Sequence, residues 1–194
     1  MGIEPVHVAV LAGGQSRRMG RDKALIEWDG QPLIARVLAA AHPLQAPLFI
    51  VGDPDQYAHL GLPVHPDLHA GLGPIGGLHT ALATAASPVL LLACDLPFLT
   101  PEFLRMLVGR RGMHQAIVPY TADGAQPLCA LYEPSCQTVV ESAIAASKRS
   151  MRGLLQQLAV DELGAEVWRP YDESGLLFAN LNTPEEVARV QGQH

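Results

Sequence analysis

VLAGGQSRRMGRDKAL, residues 10 to 25, places Gly13 and Gly14 just ahead of Arg17, Arg18, Arg21 and Lys23. Glycines let backbone N–H groups approach a ligand with no Cβ in the way, and cations behind them neutralise phosphate charge, so this loop suits a nucleoside triphosphate. It is not a Walker loop. From Gly14 the run to Gly20 is one residue too long for G-x-x-x-x-G-K-[ST], and Arg21-Asp22 stands where Lys-Ser or Lys-Thr would follow. A second pattern, Gly71, Gly73 and Gly76 in GLGPIG, spells G-x-G-x-x-G, with Asp95 downstream at the end of the next apolar run. That would suit a nicotinamide-dependent oxidoreductase. However, PDLHA separates Gly71 from the preceding strand, whereas a dinucleotide turn follows its strand almost directly, so this reading ranks second.

The elements that must position these residues follow from hydrophobic patterning. Apolar runs at residues 6 to 11, 47 to 51, 62 to 65, 88 to 93 and 115 to 119 read as strands, and their near-continuous apolar character implies burial on both faces. Pro32 to His42 reads as a helix with proline in its first turn, Ile75 to Ala86 as another, and a third follows the cap Thr100-Pro101-Glu102. Toward the C-terminus, strand-like pieces at Leu128 to Tyr132, Val167 to Trp168 and Leu176 to Ala179 alternate with helical stretches near 134 to 147 and 150 to 159; a last helix starts at Thr183-Pro184-Glu185-Glu186. The expected fold is α/β: a single Rossmann-like, three-layer domain over 1–194, with a mostly parallel sheet and a smaller antiparallel C-terminal addition. In such a sheet ligands bind at the carboxyl ends of the strands, where the glycine loop begins.

Composition narrows the function classes. A formal net charge of −6 argues against a broad nucleic-acid surface, so the cationic run addresses a small anion. With 194 residues, 48% of them hydrophobic, the chain supports a full core. Cys94, Cys129 and Cys136 are odd in number and lack C-x-x-C spacing, against a disulfide framework or a zinc site. MGIEPVHVAVLAGG has no basic leader and no stretch approaches a membrane span, so a cytoplasmic protein with no membrane partner is expected.

Four blocks, LAGGQSRRMGRDKAL, HPDLHAGLGPIGGL, LLLACDLPFLT and FANLNTPEEVARV, follow the order and approximate spacing of the nucleotidyltransferases of the molybdenum-cofactor branch. Across nearly its whole length the chain resembles the molybdenum cofactor guanylyltransferases. That resemblance implies Mg²⁺-dependent transfer of GMP from GTP to the terminal phosphate of molybdopterin, releasing pyrophosphate. By motif position it implies that Leu11, Ala12, Gly13 and Gly14 contact the nucleotide, Lys23 its phosphates, Asp67 the nucleoside and Asp95 the metal, with Gly76 in the same cofactor-binding set. Asn180 and Asn182 would face the acceptor or the metal. The nucleotide part would occupy about residues 1–112 and the acceptor part about 113–194. GTP and molybdopterin, or the molybdenum cofactor, are the implied small-molecule partners; cofactor-delivering and molybdoenzyme-maturation proteins are the implied protein partners. Two details bear on specificity. Relatives using pyrimidine nucleotides tend to start Ala-Ala-Gly, whereas Ala12-Gly13-Gly14 resembles the guanine-using form, leaving a cytidylyltransferase as the near alternative. Where some relatives carry asparagine after the second strand, this chain has Gly52-Asp53.

The chemistry agrees with the residues. A phosphate monoester is already an anion, so the acceptor needs no general base; the difficulty is charge on the triphosphate and the departing pyrophosphate. Asp95 closes a buried strand where a carboxylate can reach Mg²⁺, while Lys23, with Arg17 or Arg18, can hold the β- and γ-phosphates. No compelling Ser-His-Asp or Cys-His arrangement stands out, and His59, His65, His69 and His79 lack H-E-x-x-H spacing. Blander roles compete at each position: an Asx turn for Asp67, helix packing for Gly76 and Gly77, a core thiol for Cys94, turn or capping roles for Asn180 and Asn182. For the acceptor, Lys148, Arg149 and Arg152 form a second cationic cluster that is equally a solvated helix face, and Gln126-Pro127 are weaker candidates.

Overall fold

Alternation along the strands builds two cores on one sheet. In β1 (His7–Leu11), Val8 and Val10 enter one apolar cluster and Ala9 the other; β6 (Val89–Ala93) splits the same way, Leu90 and Leu92 against Val89 and Leu91. The computed structural model describes residues 5–13 and 22–181. Gly14, Arg17, Arg18, Arg21, Asn182 and the helix expected from Thr183 lie outside the described residues.

After β1 come a 3₁₀ turn at Lys23–Leu25, a hairpin of β2 (Glu27–Trp28) and β3 (Gln31–Pro32), α1 (Leu33–Ala41), β4 (Leu48–Val51), α2 (Pro54–Tyr57), β5 (Val64–His65) and α3 (Pro74–Ala85). Beyond β6 follow α4 (Pro101–Gly109), β7 (Ala116–Thr121), β8 (Gly124–Ala125), β9 (Cys129–Tyr132), α5 (Gln137–Ala145), α6 (Met151–Leu155), β10 (Val160–Leu163) and α7 (Ala165–Trp168). The sheet runs β10, β7, β9, β6, β1, β4, β5, with β8 paired to β7. All of its strands run parallel except β9, inserted antiparallel between β6 and β7, and β8. Helices α1, α4 and α7 cover one face and α3, α5 and α6 the other, giving the three layers that buried strands require. Among the described residues no helix is long and apolar enough to cross a membrane.

Several boundaries differ from the sequence expectation for physical reasons. Pro32 does not enter the first turn of α1; it pairs with Glu27 in β3 and stands at the cap with ψ 142°. Val167 and Trp168 lie in α7, where the indole N–H donates to the Tyr120 carbonyl at 2.9 Å, and residues 176–179 form no strand. The helical stretch expected to reach 159 stops at Leu155, because residues 160–163 pair in parallel with β7 as β10. Thr100 caps α4 as expected: its hydroxyl accepts from the Phe103 amide at 3.3 Å, with Pro101 at the first helical position.

The cap and the buried thiols each have a measurable consequence. Thr100→Ala removes the α4 cap and costs about 1 kcal/mol, read as a lower urea midpoint at unchanged m. All three thiols are buried. Burial raises Cys94, Cys129 and Cys136 above the ordinary 9.0, Cys136 to about 12. Unfolded thiols lose their protons above the ordinary value while folded ones keep them, so stability is fully present below pH 9.0 and declines as pH rises past it. Each thiol contributes about 1.4 kcal/mol per pH unit to this decline, and replacing Cys129 by Ala flattens the slope in denaturation series from about pH 8 to 11.

Candidate active site

Four parallel strands end together. At the carboxyl end of β1 the Ala12 amide donates to the Val51 carbonyl at 2.9 Å, the Cys94 amide to the Leu11 carbonyl at 3.2 Å, and beside them the Gly52 amide to the His65 carbonyl at 2.9 Å. These bonds lace the ends of β1, β4, β5 and β6 into one rim. Leu11 is half-buried, Ala12 buried, and Gly13 exposed with φ +105°, a left-handed backbone that glycine adopts without strain. The Gly13 amide faces the sulfur of Cys94, and the Asp95 and Asp22 carboxylates flank the same thiol, whose burial and anionic neighbours keep it protonated. Cys94 is thus a core residue of the rim.

The Gly52-Asp53 departure has a steric cause. A Cβ at position 52 would stand 2.6 Å from the Ala12 carbonyl oxygen and 2.9 Å from Tyr57 Cε2. The ring of Tyr57 fills the space where a side chain at that position would project, and Asp53 instead caps α2, its Oδ1 accepting from the Asp55 amide at 3.1 Å.

Lys23 opens a 3₁₀ turn that Asp22 caps: Asp22 Oδ1 accepts from the Ala24 amide at 3.0 Å, and Oδ2 accepts from the Tyr57 hydroxyl. Ala24 and Tyr57 are fully buried in the same cluster as Val10 and Ala12, so the lysine's turn is moored to the core beneath the rim.

Asp67 follows β5 in the Asx turn that its place after Pro66 allowed. Its Oδ1 accepts from the His69 amide at 2.9 Å and lies 3.2 Å from the Thr80 hydroxyl, while the Leu68 amide donates to that hydroxyl at 3.0 Å. Gly76 makes room for it: a Cβ there would meet Asp67 Oδ1 at 3.1 Å. Gly77 does the same toward β1, since a Cβ would stand 2.9 Å from Leu11 Cδ2. Residues 66–73 separate β5 from α3, so GLGPIG does not form the tight strand-to-helix turn of a dinucleotide site.

Asp95, half-buried in the turn after β6, is met by a distant segment: the Leu181 amide donates to its carbonyl at 3.2 Å. Leu181 is buried against Trp28 and Leu33, Phe98 stacks edge-on upon Trp28 at 5.1 Å, and Arg36 Nε donates to the Pro97 carbonyl at 3.3 Å. The 22–33 segment, the Asp95 turn and exposed Asn180 are held together by this small cluster. Toward the other half of the rim, the Leu128 carbonyl accepts from the Ala93 amide at 2.8 Å, which sets Gln126-Pro127 beside the end of β6. Gln126 Nε2 donates to Thr121 Oγ1 at 3.0 Å, and Arg152 Nη2 to the Asp123 carbonyl at 2.8 Å, while Lys148 and Arg149 are exposed.

The structure therefore brings Leu11, Ala12, Gly13, Lys23, Asp67, Gly76, Asp95 and Asn180 to the rim, and of the second cationic cluster it anchors Arg152 to the β7–β8 turn. Sequence reading missed Asp22, Tyr57 and Leu181. Asp22 carried a signal, a capping residue directly before Lys23; Tyr57 and Leu181 read as ordinary core.

The chain has relatives along nearly its whole length. It is 35% identical over 184 residues to the probable molybdenum cofactor guanylyltransferase of Pelotomaculum thermopropionicum, covering 94% of this chain and 90% of the relative. It is 38% identical over 192 residues to the molybdenum cofactor guanylyltransferase of Rhodobacter capsulatus, covering 94% and 93%. The crystal structure of molybdopterin-guanine dinucleotide biosynthesis protein A from Archaeoglobus fulgidus superposes with a TM-score of 0.82 at 33% identity, covering 96% of this chain and 97% of that one. With residues 8–163 matching its defining pattern and the strand ends laced as described, the chain belongs to the MobA-like NTP transferase domain family.

Proposed function

We propose that this protein transfers GMP from GTP to the terminal phosphate of molybdopterin. An acceptor phosphate oxygen attacks the α-phosphorus, the new P–O–P bond forms as the bond to the β-phosphate bridge breaks, and pyrophosphate leaves. The observation that carries the reading is the meeting of Gly13, Lys23 and Asp95 at one rim, in a chain related along its length to guanylyltransferases.

Charge decides what each group does. Leu11 to Gly13 line the nucleotide's place at the end of β1, exposed Gly13 leaving room by its missing Cβ, with Gly14 next along the chain; Asp67 and Gly76 shape the nucleoside side of the rim. Lys23, with Arg17 and Arg18, neutralises the β- and γ-phosphates and stabilises pyrophosphate as charge builds on it. Asp95, with Asn180 close by in the fold and Asn182 two residues further along the chain, supplies hard oxygen donors that fit Mg²⁺, which takes one or two carboxylates together with phosphate oxygens and waters. Bound there, Mg²⁺ supplies charge neutralisation of the phosphates. In this reading residues up to about 112 hold the nucleotide, and those from about 113 hold the acceptor, with Gln126, Arg152, Lys148 and Arg149 on its side. The reaction takes place in the cytoplasm, with cofactor-delivering and molybdoenzyme-maturation proteins as partners.

Ala12-Gly13-Gly14 favours GTP over CTP, and a competition settles the point. Isothermal titration with Mg²⁺ gives GTP-selective heat that weakens in Lys23→Ala; preferential CTP binding overturns the guanine assignment. Asp95→Asn lowers pyrophosphate release in the presence of molybdopterin by about 10²-fold or more while the fold, followed by circular dichroism, is retained. Near-normal turnover by that variant removes Asp95 from metal binding.

A further inference from the structure

We propose that Tyr57 is a positioning residue for Lys23, acting through Asp22. The inference rests on the reading that Lys23 holds the triphosphate, and it comes from a link that no motif names. Tyr57 leaves α2 fully buried, its ring lies over Gly52 against the end of β1, and its hydroxyl donates to Asp22 Oδ2. The other oxygen of the same carboxylate accepts from the Ala24 amide at 3.0 Å, so Asp22 is gripped from both sides of the residue that follows it, Lys23.

The geometry of the lysine's backbone then has few degrees of freedom left. The Leu25 amide donates to the Asp22 carbonyl and the Ile26 amide to the Lys23 carbonyl, both at 3.1 Å, closing the 3₁₀ turn. Buried Ala24 fixes that turn from below. Tyrosine suits this role because its ring is rigid with few rotamers, and because a phenol donating to a carboxylate makes a charge-assisted bond stronger than a neutral one. Position is transmitted from the ends of β1 and β4, through the ring and the carboxylate, to the ammonium that meets the triphosphate.

The test is a double-mutant cycle on nucleotide affinity, measured by isothermal titration of GTP and GMP with Mg²⁺ present. Tyr57→Phe weakens GTP about tenfold, as expected for loss of a bond to a charged group, and changes GMP by less than about twofold because GMP lacks the phosphates Lys23 addresses. In a Lys23→Ala background, Tyr57→Phe costs GTP less than about twofold more. Asp22→Ala cuts the same link from its half-exposed end and gives the same GTP-selective loss, which serves where Tyr57→Phe lowers the melting temperature too far for titration. Equal weakening of GTP and GMP, the same factor in both lysine backgrounds, or wild-type GTP affinity in Tyr57→Phe overturns the positioning role while leaving Lys23 in place. Wild-type GTP affinity in Lys23→Ala overturns the assignment of Lys23, and the proposal with it.

Discussion

Burial of the sheet on both faces is the constraint from which the site follows. Val8, Ala9 and Val10 of β1 and all of β6 are enclosed by helices above and below, so neither strand can offer a polar group to a ligand along its length. Only where the strands stop do backbone amides and carboxylates meet solvent. Leu11–Gly13, Gly52, His65–Asp67 and Asp95 cluster at four such stops, and the hydrogen bonds between them convert separate strand ends into one surface of fixed shape. Glycine is required at Gly52 because the neighbouring backbone has already taken the space of a side chain.

A surface made this way still has a charge problem. The chain is acidic overall, and Asp22 and Asp95 stand near the place where a polyanion would lie. The structure answers by giving Asp22 internal work: one oxygen caps a turn and the other accepts a hydrogen bond from a phenol. Asp67 is handled alike, its Oδ1 used by the His69 amide and the Thr80 hydroxyl. Elsewhere, Arg110 and Arg111 are paired with Asp161 and Glu133, 3.6 and 3.2 Å apart, and so take no part in this balance.

Much of this was legible in the sequence where local pattern carried the information. β1, β4, β6, β7 and β9 are apolar runs that no helix period fits, and Thr100-Pro101 announces a helix start by its own chemistry. The glycine loop and Asp95 could be placed because a strand end is recognisable from the run before it. β10 was hidden because VDEL has only two apolar residues and gains its strand conformation from pairing with β7, a tertiary effect. Val167-Trp168 misled for the converse reason: two apolar residues define no period, and the indole is placed by its bond to Tyr120. Tyr57 and Leu181 act through contacts with residues remote along the chain, and no local spacing encodes such a meeting.

The bond from the Leu181 amide to the Asp95 carbonyl also sets an order of assembly. On a translating ribosome the glycine loop, the lysine's turn and the aspartate turn emerge before Leu181, as do β1 and its two neighbours β4 and β6. The Trp28 and Leu33 side chains beneath them lack one of their apolar neighbours until Leu181 arrives, after residues 113–180 have been made. β9 imposes the same delay, since β6 lacks one neighbour until that strand is inserted. The Asp95 edge of the rim is therefore completed only by a segment made after nearly all the rest of the chain.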